Sequence, residues 1–147
     1  MITYRVMTKD DYDAVYRVWY STPGMGLNTV DDSREGIEKY LKRNPTTCFI
    51  ALCEDIVIGV ILSGHDGRRG YISHTAVLPE FRGNGIAKQL VNLAMAALEE
   101  EGIHKVALVA FEQNEIGNAF WEHIGFTARE DLGYRNKNIH ALPRVDT

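Results

Sequence analysis

The chain has 147 residues, enough for one domain with a sizeable core. Its apolar and charged fractions are those of an ordinary globular protein, and its formal charge of −4 argues against a general nucleic-acid binder, which needs a basic surface. No apolar run approaches the ~20 residues that span a bilayer, and MITYRVMTKDD lacks a basic-then-apolar leader, so a cytoplasmic protein with no membrane partner is expected.

Ile2 to Met7 alternates as a strand. Thr8, followed by two acids, suits a helix N-cap. The helix behind it carries Tyr12, Val15, Tyr16 and Trp19 on one face and ends near Ser21-Thr22-Pro23-Gly24. Met25 to Asn28 is an apolar, glycine-bearing loop. Asp31 or Asp32 can cap a second helix, whose buried stripe is Ile37, Tyr40 and Leu41; Asn44-Pro45 ends it. Thr46 to Cys53 reads as a strand, Glu54-Asp55 as a tight turn, and Ile56 to Leu62 as a central strand covered on both faces. The polar turn Ser63 to Gly70 leads to a strand at Tyr71–Val77, expected to pair antiparallel with its predecessor.

Pro79 stops that strand, because proline cannot donate to a ladder. Arg82, Gly83, Asn84 and Gly85 turn the chain into a helix with apolar residues at Ile86, Leu90, Leu93, Ala94, Ala97 and Leu98. Free N–H groups in its first turn, two glycines without side-chain bulk and the Arg82 fork together make a seat for a phosphate. Glu99 to Gly102 closes the helix. Lys105 to Phe111 is a further buried strand, and Asn114 to Ile124 a short helix closed by Gly125. Phe126–Arg129 and Tyr134–His140 read as a final hairpin. The tail from about residue 141 is expected to be loosely ordered. Neither a repeat nor a linker interrupts residues 1–147, which implies a single domain.

The two cysteines, Cys48 and Cys53, sit in one predicted strand and point to opposite faces, so a bridge between them is implausible. Both read as small buried apolar residues. The five histidines are scattered, and no zinc ligand spacing appears, so no metal is expected.

Arg82-Gly83-Asn84-Gly85-Ile86-Ala87 matches the pattern Gln/Arg-x-x-Gly-x-Gly/Ala, and it follows a strand that ends Ala76-Val77-Leu78-Pro79. Asn114 to Phe126, NEIGNAFWEHIGF, is similar to Asn-x-x-Ala-x-x-x-Tyr-Glu-x-x-Gly-Phe. In this order and spacing the two segments resemble the acetyl-CoA-binding core of the GNAT superfamily of N-acetyltransferases. A dinucleotide fingerprint fits less well, since its third glycine is Ala87, and the Gly-Lys-Ser/Thr of a Walker loop is absent. The resemblance implies an α/β (α+β) fold: a mixed, mostly antiparallel sheet of six to seven strands flanked by about four helices. It also implies that the strands ending at Val77 and Ala110 splay apart around the cofactor.

By resemblance, the activity is transfer of acetyl from acetyl-CoA to an amine acceptor, either a small molecule or a peptide. A non-catalytic acyl-CoA-binding module with the same fold is the alternative, and a homodimer is left open. The cofactor residues so implied are Ala76, Val77 and Leu78 for the pantetheine arm and carbonyl oxygen, Arg82 to Ala87 (Arg82, Gly83, Asn84, Gly85, Ile86, Ala87) for the pyrophosphate, and Asn114 and Trp121. The family's usual tyrosine, seven residues after the asparagine, protonates the departing thiolate; here that position is Trp121, whose indole N–H is no useful acid. Tyr134 is the substitute candidate. Candidates for the base are His74, Tyr71 and Glu112. Strict alternation places Tyr71, Ser73, Thr75 and Val77 on one face and His74 on the other, unless a bulge intervenes. The acceptor site is expected between Trp19–Asn28, the second helix and the final hairpin, with Met25, Leu27 and Tyr40 as apolar lining or as core.

Overall fold

The computed structural model describes residues 1–145. Strand β1 (Ile2–Val6) is followed by a 3₁₀ turn at Lys9–Asp11 and helix α1 (Tyr12–Tyr20). Thr8 caps that turn rather than the α-helix itself. The Asp11 carboxylate accepts from the Thr8 N–H and grips the Arg5 guanidinium through two bonds of 2.8 Å. Burial works to raise the Asp11 pKa, but Arg5 and Thr8 outweigh it and hold the carboxyl below its ordinary range. Helix α2 (Arg34–Arg43) is capped by Ser33, whose hydroxyl accepts from the Gly36 N–H at 3.0 Å. Neither Asp31 nor Asp32 is the cap, which leaves Asp32 for another use.

Strands β2 (Phe49–Cys53), β3 (Ile56–His65) and β4 (Gly70–Val77) extend β1 into an antiparallel meander. Glu54 and Asp55 both take positive φ, the twist that a two-residue hairpin turn requires. Helix α3 (Ile86–Glu100), strand β5 (Val106–Ala107) and helix α4 (Glu115–His123) complete the order. The sheet runs β1-β2-β3-β4-β5, with β5 parallel to β4.

Among the described residues the sheet therefore has five strands, not six to seven. Residues 126–140 form no ladder, so the expected final hairpin is absent; their polar Arg, Asn and Lys side chains leave little apolar surface to bury. The strand expected over Lys105–Phe111 pairs only at Gly70↔Val106 and Tyr71↔Ala107. Beyond Tyr71 the two strands part, and β4 shows an open edge from Ile72 to Val77. Near the end of the described residues, the Val145 N–H donates to Leu27 C=O and the Thr29 N–H to Pro143 C=O, each at 2.9 Å.

The sheet has a core on each face. Trp19, Leu27, Ile37, Leu41, Ile50, Val60 and Ala76 pack beneath α1 and α2. Ile58, Ile61, Ile72, Val77, Leu90 and Ala94 pack beneath α3. Each fully buried Leu or Ile contributes about 1.5–3 kcal/mol of transfer free energy, which gives β4 a rigid support on both sides. Cys48 lies in the first core and Cys53 against the second, as alternation requires. Cys48 is fully buried, and burial pushes its thiol up to about 12; Cys53 is only half-buried.

Candidate active site

Strand β4 carries an extra residue. Val60 pairs with Ala76 and Leu62 with Ser73, so between these pairs one residue of β3, Ile61, opposes two of β4, His74 and Thr75. The surplus is taken up at His74, whose φ is 48°. Ile72 and Val77 consequently share the α3 face, while Ala76 turns to the α1 side. Strict alternation therefore fails here, and the bulge moves His74 onto the face of Tyr71 and Ser73. All three line a cleft of about 1090 Å³ between α2 and the ends of β3 and β4.

Three contacts hold His74. The Trp19 indole N–H donates to its carbonyl at 3.0 Å, and the two rings meet edge to face at 5.1 Å. The ring Nε2 lies 2.8 Å from Asp32 Oδ1. The Asp32 carboxylate is nearly sealed from solvent, with its side chain 5% exposed. Its Oδ2 accepts from the Asn28 N–H at 2.9 Å. Tyr12 fixes the same residue from below, donating its hydroxyl to Asp32 C=O at 2.6 Å. Asp32 was not among the expected site residues, and Trp19 was expected only as one end of the segment bordering the acceptor site. The better cap at Ser33 was the available hint, because it releases Asp32 from capping.

The remaining base candidates are less well placed. Burial first, and the Tyr134 phenol second, push Tyr71 up despite a bond to the Val109 backbone, so it stays protonated. Glu112 is exposed on a turn, does not line the cleft, and uses its carbonyl to accept from Asn118. Tyr134 is 68% exposed on the coil after α4, beside Tyr71 but outside the cleft wall.

The open edge of β4 is where a backbone donor is free. The Leu78 N–H donates to Ile58 C=O at 2.9 Å, and Ala76 pairs with Val60. In an antiparallel ladder the intervening residue turns its polar groups the other way. Val77 thus aims its N–H at the gap between β4 and β5, whereas the Ala76 backbone and the Leu78 N–H are spent on β3 and the Leu78 carbonyl accepts from the Phe81 N–H. The Val77 carbonyl accepts from Arg82 Nε at 3.3 Å, which leaves the terminal nitrogens of the guanidinium for an anion.

Gly83 and Gly85 have φ of 82° and 75°, and Gly85 is the N-cap of α3. No side chain caps this helix, so its first N–H groups look for an outside acceptor. A Cβ placed on either glycine would meet nothing within 4 Å. Packing therefore does not demand glycine here; the positive φ does, and the space above is open. These features fit a pyrophosphate. Asn84 folds its amide back onto Phe81 C=O, and the Ile86 side chain is core, so both can offer only backbone. Asn114 is committed as the N-cap of α4, accepting from the Gly117 N–H at 2.9 Å. Trp121 stacks edge-on with Phe120 and Phe126, at 5.0 and 5.3 Å, as a packing residue. Among the described residues no group of three or more His, Cys, Asp or Glu could hold a metal ion, and no helix is long and apolar enough to cross a membrane.

Known proteins resemble this chain in sequence and fold. The model of the Acetyltransferase (GNAT) family matches residues 10–126. An acetyltransferase of Photorhabdus laumondii is 34% identical over 111 residues, 76% of each chain. One of Pectobacterium atrosepticum is 29% identical over 122 residues, 83% of this chain and 85% of its own. The PaiA N-acetyltransferase of Thermoplasma acidophilum, solved in complex with coenzyme A, superposes with a TM-score of 0.77 at 18% identity, covering 88% of this chain and 92% of its own. The family match spans the loop, the bulge and α4 together: the chain belongs to the acetyltransferase (GNAT) family and is an acyltransferase.

Proposed function

We propose that the enzyme acetylates a primary amine, small or peptidic, that enters the cleft beside α2, using acetyl-CoA held along the open edge of β4. The observation that carries this reading is the bulge, which turns His74 into the cleft on the same strand that ends in the free Val77 N–H and the Arg82–Ala87 loop. When bound, acetyl-CoA supplies the acetyl group as a thioester, whose C–S bond breaks as the C–N bond to the amine forms. The uncapped N–H groups of α3, with Arg82, hold the pyrophosphate. The Val77 N–H donates to the carbonyl oxygen as charge gathers there.

His74 prepares the acceptor. An alkylammonium with pKa near ~10 cannot attack, and its proton must leave first. The imidazole takes that proton, the electron pair stays on the amine nitrogen, and the ring returns the proton to solvent. Tyr134 protonates the departing sulfur from the open side of β4, and the second proton, which the nitrogen sheds as it becomes an amide, passes through solvent to restore the phenol.

Thiol release measured across amines of graded pKa tests the reading. His74→Ala is expected to lower kcat by roughly 10²–10³-fold for amines of pKa near ~10, with the KM for acetyl-CoA unchanged. The loss should shrink for amines already neutral at the assay pH. An equal loss across the series would remove His74 from proton transfer.

A further inference from the structure

Asp32 is a buried carboxylate for which helix capping gives no reason. Its place is defined from three sides: the Asn28 N–H on Oδ2, the Tyr12 hydroxyl on its carbonyl, and His74 Nε2 on Oδ1. Asn28 is itself pinned, since it bridges to Arg144 and its side-chain oxygen accepts from the Val30 and Asp31 N–H groups. An ionised carboxylate only accepts hydrogen bonds. The 2.8 Å contact with His74 therefore requires a proton on Nε2. In the neutral ring the lone pair then sits on Nδ1, which has no partner among the described residues.

We propose that Asp32 is the positioning residue of this site: it holds His74 in the Nε2–H tautomer and so makes Nδ1 the atom that accepts the acceptor's proton. This rests on the reading of His74 as the proton acceptor. In the step, the N–H bond of the ammonium breaks and its proton moves to Nδ1, while the bonding pair remains on the amine nitrogen. Asp32 stays ionised throughout and balances the charge on the ring, the part a buried carboxylate plays behind a catalytic imidazole. Trp19 adds a separate restraint by anchoring the peptide group to which the ring is attached.

Nitrogen-15 NMR of the imidazole in the free protein tests the tautomer without any turnover. The spectrum of the neutral ring should show protonated Nε2 and bare Nδ1. Asp32→Asn, nearly unchanged in shape, should give a tautomer mixture and a kcat lowered about 10²-fold or more, with the KM for acetyl-CoA within about twofold of the parent. A wild-type ring protonated on Nδ1 overturns the proposal even if the variant does not fold. A variant that keeps both the tautomer and the rate overturns it as well. If those results appear while His74→Ala abolishes turnover, only the role of Asp32 is lost. Full activity in His74→Ala would instead sink the reading of His74, and this proposal with it.

Discussion

The bulge at His74 and the loop at Gly83 and Gly85 lie a few residues apart, and both bend the backbone to positive φ. They do so in opposite ways. The loop uses glycine, for which this conformation costs little, and leaves open space where side chains at Gly83 and Gly85 would stand. The bulge uses histidine, for which it costs about 1–2 kcal/mol, and is gripped by Trp19 and Asp32. A ligand-binding loop needs bare, reachable backbone. A side chain that moves protons needs one orientation, and tertiary contacts can hold a strained residue to supply it.

The largest effect expected from breaking this contrast is at the loop. Gly85→Val forces a β-branched residue to φ near 75° and fills the space above the helix N-terminus. A hydrogen bond to a charged group is worth about 1.5–3 kcal/mol, so losing one or two such N–H contacts weakens acetyl-CoA binding by roughly 10²-fold. Titration calorimetry checks this; normal affinity would show that the loop is only a turn. Because the strained φ also lowers stability, by about 1–2 kcal/mol, the variant is compared at a temperature where it is folded.

Tyr134 sharpens the contrast, being neither strained nor packed. Tyr134→Phe is expected to lower kcat about tenfold and to leave acetyl-CoA affinity alone. That is less than the usual range of roughly 10²–10⁴ for an acid or base, because a thiol with pKa near ~8.5 leaves without much help. Stopped-flow thiol release decides it, and full kcat in the variant assigns the proton to solvent.

The smallest effect isolates the strain. His74→Ala and His74→Gly both remove the imidazole, but only glycine relaxes at φ 48°. The glycine variant should be more stable than the alanine variant by about 1 kcal/mol in urea unfolding. Equal stabilities would mean that the bulge is unstrained.

The loop was legible in the sequence because its demands are local. Arg82-Gly83-Asn84-Gly85 before an apolar helical stripe specifies a turn, two positive φ values and an uncapped N-terminus from neighbouring residues alone. The same holds for the hairpin turn at Glu54-Asp55 and for the two faces of Cys48 and Cys53. The end of the chain misled, because the segment Tyr134–His140, read as half of a hairpin, meets no partner strand, and a strand exists only as a pair. Asn114 and Trp121 match a motif by position, and only the fold shows that the first caps α4 and the second packs against Phe120 and Phe126. The orientation of His74 was decided by tertiary structure. An extra residue in β4 has no local signature; it depends on the register against β3 and on partners 42 and 55 residues away in sequence. Sequence period places a side chain on a face only while the ladder is regular, and one bulge reverses that placement for every residue beyond it.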